Sequence, residues 1–341
     1  MGNNLFNFTL PGGINVDLHD YLSPLKIKDG DVVIASGTLV EGIGNEFSDI
    51  DIYIVTDKLR NTQEIDISGF FRVISPEKEI LKSDGEQDIL LVHLPVEKTG
   101  VKVDVEFKTF DDVNQISHTL LSNYKYAVKN HILLTKEMPE RHLSFMHRIH
   151  NSICLFNNER LSDIQGQFPV DVINYYLYRL NASDFADLLD IIGAWNKNEI
   201  SRCFDLAREN LIKQMLAYIC LVGNTDYKRK WLLTRMKQVG INQDLYSRFL
   251  GLFLRSKIMS DKEYIVETIR MVDEIYSLSA LFFSETKNNV MPTAQNVLSW
   301  LDHERNNCDK EYEKAEVDYR YKAYDISSLW STVELLERSL I

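Results

Sequence analysis

The hydrophobic period of this chain changes once, near residue 110. Before that point, DVVIAS, DIDIYIVT, DILLVHLPV and VKVDVEFK are short, rich in Val and Ile, and bounded by Gly, Asp or Lys, the pattern of strands. EKTG between the last two reads as a hairpin turn, which sets VKVDVEFK antiparallel to its predecessor. From about residue 113 apolar residues recur at helical spacing. Phe185, Leu188, Leu189, Ile192 and Trp195 make one stripe, and Phe204, Ala207, Leu211, Met215 and Ile219 another. The punctuation agrees: Ser260 and Glu263 have capping-box spacing, Gly223 and Gly240 are placed to end helices, and Pro169 and Pro292 stand where helices begin or break. The expected fold class is α+β. A small mixed-sheet domain spans residues 1–112, and an all-α domain for acceptor binding or oligomerisation spans 113–341.

Length supports two domains, since 341 residues exceed the ~100–200 of a single one. Charge narrows the partners. The 38 Lys and Arg against 50 Asp and Glu leave −12, a surface that repels a phosphate backbone, so nucleic acid is a poor default partner. Cys154, Cys203, Cys220 and Cys308 lack paired metal-ligand spacing and read as reduced, buried thiols. No apolar run reaches the ~20 residues that span a bilayer, and MGNNLFNFTLPGG lacks the basic and apolar regions of a signal peptide. The expectation is a cytoplasmic protein with no membrane contact.

In SDIDIYIV, alternate residues share a face, so Asp49 and Asp51 project together while Ile50, Ile52 and Ile54 pack the other side. Like charges so close raise one another's pKa unless a cation neutralises them, and oxygen ligands suit a hard ion such as Mg²⁺. VKVDVEF supplies a further carboxylate, Asp104 or Glu106, on the face opposite Val101, Val103 and Val105. Three carboxylates suit two ions ~3.5–4 Å apart that clamp the oxygens of a phosphoryl transfer. The plain alternative is a pair of solvated strand-edge aspartates. Ahead of them lies a glycine loop, where Gly37 and Thr38 let backbone N–H groups approach a phosphate and Gly42, Gly44 and Ser48 lead into Asp49.

GTLVEGIGNEFSDIDI resembles the fingerprint G-S-x-A-R-G-x-x-x-x-x-S-D-h-D-h of the nucleotidyltransferase superfamily, typified by DNA polymerase β and the antibiotic nucleotidyltransferases. Gly37, Gly42, Ser48, Asp49 and Asp51 match outright. Thr38 replaces Ser, Val40 replaces Ala, and Glu41 replaces Arg, which puts an acid where the family has a base. The resemblance covers residues 31 to 110 or so. It implies a nucleotidyltransferase domain with Asp49, Asp51 and Asp104 as metal ligands and catalytic carboxylates, Glu106 standing in reserve for Asp104. It also implies Gly37, Thr38 and Ser48 as nucleotide contacts, two Mg²⁺ ions or Mn²⁺ in their place, and transfer of a nucleoside monophosphate from a triphosphate such as ATP, with pyrophosphate leaving.

In the helical part, Asp226 is placed to cap a helix whose first turn holds Lys228, Arg229 and Lys230, and cations there favour a bound anion. Lys228 and Lys230 are the expected triphosphate contacts from that side. RHLSFMHRIH sets His147 and His150 on one helix face as a candidate acceptor wall, against the plainer reading of partly buried histidines. NYYLYRL reads first as core aromatics and second as a stacking surface. The last thirty residues, with four tyrosines, form either a docked helix or a contact surface, and a homodimer stays open. No general base stands out. The first-ranked acceptor is a small molecule, its hydroxyl or phosphate modified, and a cationic one suits the acidic surface. Transfer to a protein or tRNA, or a nucleotide-binding module without turnover, are the alternatives.

Overall fold

Strand β4 (Asp49–Thr56) sets the plan of the N-terminal part, because its first half alternates partly exposed Asp49 and Asp51 with buried Ile50 and Ile52, while Tyr53 and Val55 further along are buried. In the computed structural model, which describes residues 6–82, 84–131, 135–182, 184–256, 258–286, 291–328 and 330–337, two short strands come first. β1 (Asn7–Thr9) and β2 (Asn15–Asp17) pair as a hairpin. Then β3 (Val32–Ser36), β4, β5 (Arg72–Ile74), β6 (Leu91–His93), β7 (Lys102–Thr109) and β8 (Ile153–Phe156) form a six-stranded sheet in the order β5-β6-β7-β4-β3-β8. β4 and β7 run parallel and every other neighbour pair is antiparallel.

Register turns this sheet into two contrasting surfaces. Val73, Val92, Val105, Ile52 and Ala35 lie in one cross-strand row and are all buried. They share a core with Phe8, Val16 and Leu22 from the N-terminal hairpin and the short helix α1 (His19–Leu22). The row one residue along points the other way and is polar: Arg72, His93, Asp104, Asp51 and Ser36. The antiparallel setting of β6 and β7 is as expected, but EKTG is no hairpin turn. It is a single helical turn, α2 (Val96–Thr99), closed by Gly100 at φ 72°.

Helices α3 (Phe110–Lys129), α4 (Glu140–His150) and α5 (Asn158–Gly166) follow. Two units result, residues up to Thr119 with Glu140–Pro169, and Leu120–Pro139 with Val170 onward. The division runs through α3, so the expected boundary at residue 112 does not coincide with it, and residues 140–169 belong to the first unit. Nor is everything after 112 helical. ICLF forms β8 on the open edge of β3, pairing Ile34 with Cys154 and Ala35 with Ile153, because four apolar residues with free main-chain groups satisfy both burial and hydrogen bonding there.

The second unit comprises α6 (Val170–Asn181), α7 (Phe185–Asn196), α8 (Ile200–Leu221), α9 (Leu232–Gln238), α10 (Gln243–Phe253), α11 (Asp261–Glu285), α12 (Ala294–Asn306) and α13 (Glu311–Tyr321). α8 packs against α6, α7 and α11. Its Ala207, Leu211, Met215 and Ile219 are buried as the stripe predicts, and Phe204 stacks on Tyr264 at 4.2 Å. On α7 the buried line is Phe185, Leu188, Ile191 and Ile192, while Leu189 is exposed. The Ser260–Glu263 capping box opens α11. α13 is docked through Tyr319, edge-on to Tyr276 at 5.2 Å; residues 329 and 338–341 lie outside the described residues. Tyr175, Tyr176 and Tyr178 of NYYLYRL are core residues. Cys154, Cys203, Cys220 and Cys308 are free thiols, and burial raises the pKa of each. Among the described residues no helix is long and apolar enough to cross a membrane.

Candidate functional site

The loop from Gly37 to Ser48 joins β3 to β4 and is built on its own backbone. Thr38 O accepts from both Ile43 N and Gly44 N, at 3.0 and 2.8 Å, and Asn45 N donates to Ser48 Oγ at 3.0 Å. Ser48 therefore shapes the loop. Gly37 has φ 102°, and a Cβ there would stand 2.9 Å from Asp51 Oδ2 and 3.2 Å from Asp49 O, so only glycine lets the loop pass this close to the carboxylates.

Asp51 on β4 lies directly opposite Asp104 on β7, and Asp49 opposite Lys102. Directly paired residues share a face, so the three expected carboxylates are brought onto one surface. Glu106 is one step away, opposite Tyr53, and is held by Lys108 at 2.6 Å. Register thus sets Asp104, not Glu106, beside Asp51.

Each of these aspartates meets a base of the chain itself. Lys102 Nζ is 2.8 Å from Asp49 Oδ2 and 3.6 Å from Asp104 Oδ2. Arg148 Nη2 is 2.6 Å from Asp51 Oδ2, while its Nη1 donates to the Tyr53 hydroxyl at 2.6 Å. His93 Nδ1 is 2.6 Å from Asp104 Oδ1. Burial alone would raise the Asp49 pKa, but the Lys102 hydrogen bond and charge, with help from Arg148, hold it below the usual carboxylate value. Protein cations thus relieve the like-charge repulsion that the sequence reading assigns to a metal. Lys102, Arg148 and His93 were not singled out from sequence. Lys102 was the findable one, since it alternates with Asp104 along VKVDVEF.

Among the described residues no group of three or more His, Cys, Asp or Glu is set to hold a metal ion. The donors are nevertheless of the right kind. Carboxylate oxygens on one face of adjacent strands suit a hard divalent ion, provided that Lys102, Arg148 and His93 give them up. Asp49, Asp51 and Asp104 are the residues that would hold it.

Glu41, where the fingerprint has a base, is paired with His147 Nε2 at 3.1 Å. Asn151 Nδ2 lies 3.2 Å from His147 Nδ1 and donates to the His147 carbonyl at 2.8 Å. His150 Nε2 meets the Phe168 carbonyl at 2.7 Å, and burial lowers its pKa. Both histidines are engaged in polar contacts within the first unit, as the plainer reading of partly buried histidines has it.

Lys228 and Lys230 belong to the second unit, the carboxylates and loop to the first. Asp226 is not a helix cap. It is buried against Arg235 at 2.9 Å and accepts from Lys228 N at 3.0 Å, residues 229–231 form a 3₁₀ turn, and α9 starts only at Leu232. The two lysines lie over their neighbours Tyr227 and Trp231, and both precede the first turn of α9.

No protein-family model matches the chain, and no curated protein matches it either. Among solved structures it is similar to a nucleotidyltransferase-like protein from Exiguobacterium sibiricum 255-15, with a TM-score of 0.40 and 11% identity over 78% of this chain and 75% of that one. A likeness that loose supports no assignment.

Proposed function

We propose that this chain is a metal-dependent nucleotidyltransferase that moves a nucleoside monophosphate from a triphosphate such as ATP to a hydroxyl or phosphate of a small molecule. The observation that carries the reading is the row in which Asp104 stands opposite Asp51, with Asp49 two residues before it, at the end of a loop that only glycine allows so near. In such a transfer the acceptor oxygen bonds to the α-phosphorus, the bond from that phosphorus to the β-bridging oxygen breaks, and pyrophosphate leaves. Bound Mg²⁺, or Mn²⁺ in its place, supplies charge neutralisation at the oxygens that enter and leave. The chain contributes position: loop N–H groups at the phosphates, the three carboxylates as ion holders, and Arg148 fixed by Tyr53 as a constant positive charge.

A second reading is favoured by one observation, the bases already seated on all three carboxylates. On that reading the chain binds a nucleotide and does not turn it over. Incubation with Mg²⁺ and each labelled triphosphate, with small-molecule, tRNA and protein pools as acceptors, separates these. Pyrophosphate release with label on a small molecule supports the first reading. Label on tRNA or protein moves the acceptor to a macromolecule. Binding without pyrophosphate sinks the transferase.

A further inference from the structure

The polar row of the sheet does not stop at the carboxylates. From Asp51 it continues through Asp104 and His93 to Arg72 on the edge strand β5. The three bases toward β4 and β7 are all engaged: Lys102 with Asp49 and Asp104, Lys108 with Glu106, Arg148 with Asp51. Arg72 differs. No described carboxylate pairs with it, and its guanidinium lies over the ring of Phe71, 5.7 Å from the centroid. That ring is 73% exposed, although Phe71 is fixed in place by its N–H, which donates to the His93 carbonyl at 2.9 Å. α4 covers the β4 side of the face, where Phe145 meets Tyr53 at 5.4 Å and Lys108 lies over Phe145. On the β6–β5 side Arg72 is exposed and His93 partly so.

An unneutralised guanidinium resting on an exposed aromatic ring suits an anion that accepts from two of its N–H groups and carries a flat group to lie against the ring. Three strand spacings separate Arg72 from Asp51, about 14 Å between main chains. An acceptor held at Arg72 has to span that distance to reach the carboxylates.

Resting on the nucleotidyltransferase reading, we infer that Arg72 and Phe71 form the acceptor subsite, and that the acceptor carries a phosphate or carboxylate group. This replaces the cationic acceptor that net charge suggests, since an ammonium group entering here would face Arg72, and neither β5 nor β6 carries an acid to receive it.

The same anion contact could come from the nucleotide's own phosphates, and the test separates the two sources. The full chain is titrated by calorimetry with phenyl phosphate, with benzylamine, and separately with Mg²⁺ and an α,β-methylene triphosphate analogue. Phenyl phosphate is expected to bind and benzylamine not. Arg72→Met should weaken phenyl phosphate on the order of tenfold and leave the analogue within about twofold, while Phe71→Ser should weaken phenyl phosphate by a smaller factor. Both positions are exposed, so unchanged thermal melting is expected and checks the fold. Phenyl phosphate affinity that ignores Arg72→Met overturns the subsite. Loss of analogue affinity in its place assigns the anion to the nucleotide and also overturns it. An analogue that fails to bind the unaltered chain sinks the nucleotidyltransferase reading, and with it the word acceptor, whatever phenyl phosphate does.

Discussion

His147 Nε2 lies 3.1 Å from Glu41 Oε1, both side chains only 9% exposed, and the residue that follows His147 is the arginine seated on Asp51. Arg148 of α4 thus brings a positive charge to Asp51, and Glu41 ties the loop to the same helix through the residue before it. Glu41→Gln, which keeps an acceptor, should cost about 1 kcal/mol of stability. Restoring the family residue with Glu41→Arg should cost about 3 kcal/mol or more, because it buries a cation beside His147 and close to Arg148. Urea unfolding measures both, and an arginine variant as stable as the glutamine one would refute the tie.

Asp49 and Asp51 should be equal in catalysis and unequal in stability. On the proposed function, replacing either with Asn removes charge that a bound Mg²⁺ would need, so turnover should be lost. Asp49 faces the half-exposed Lys102, and its Asn variant should lose less than about 1 kcal/mol of stability. Asp51→Asn leaves the mostly buried Arg148 without its counter-ion and should lose about 1–3 kcal/mol. Full activity in both variants would remove this strand from the site.

Asp104 and Glu106 share a strand face but stand in different rows. Asp104→Asn should reduce turnover by orders of magnitude, on the order of 3–4 kcal/mol of barrier. Glu106→Gln should reduce it much less, since its partner is Lys108. The opposite ranking, in pyrophosphate release at saturating Mg²⁺, would move the third ligand two residues along.

In the second unit, His131 packs edge-on to Trp300 at 5.2 Å, and burial, with the Arg179 charge, pushes its pKa from 6.5 down to about 4. The unfolded chain then binds a proton that the folded one refuses. The stability contribution is complete above pH 6.5 and declines as pH falls from there toward 4, by on the order of 1–3 kcal/mol. Urea midpoints at pH 7.5 and 5 should differ for the natural chain and differ less for His131→Gln. Equal pH slopes would show that the folded chain protonates this histidine as readily as the unfolded one does.

β4 was legible to the residue, because a run that alternates carboxylate and isoleucine fits nothing but a strand with one wet face. Asp104 was legible through its own alternation once a second strand was in view. The bases were not. Which cation meets Asp51 depends on a helix that returns about a hundred residues later with Arg148, and no local pattern encodes that meeting. β5 and β8 were missed because three or four residues carry too little period to read. Asp226 was misread because a buried Asp–Arg pair and a helix cap have the same sequence signature at one position. Its true partner, Arg235, lies nine residues downstream.

The strand β8 has a consequence for synthesis. A ribosome that has made residues 1–112 has made both carboxylate strands, yet β3 still has an unpaired edge and Asp51 still lacks the arginine that steadies it. Only after residue 156 has emerged, by way of residues 120–139 that belong to the other unit, does β8 cover that edge of β3. The nascent chain must keep its first sheet open across that delay, exposed to pairing with any other extended strand. A fragment cut at residue 112 would be fixed in that state, and should aggregate where one cut after Pro169 stays dispersed.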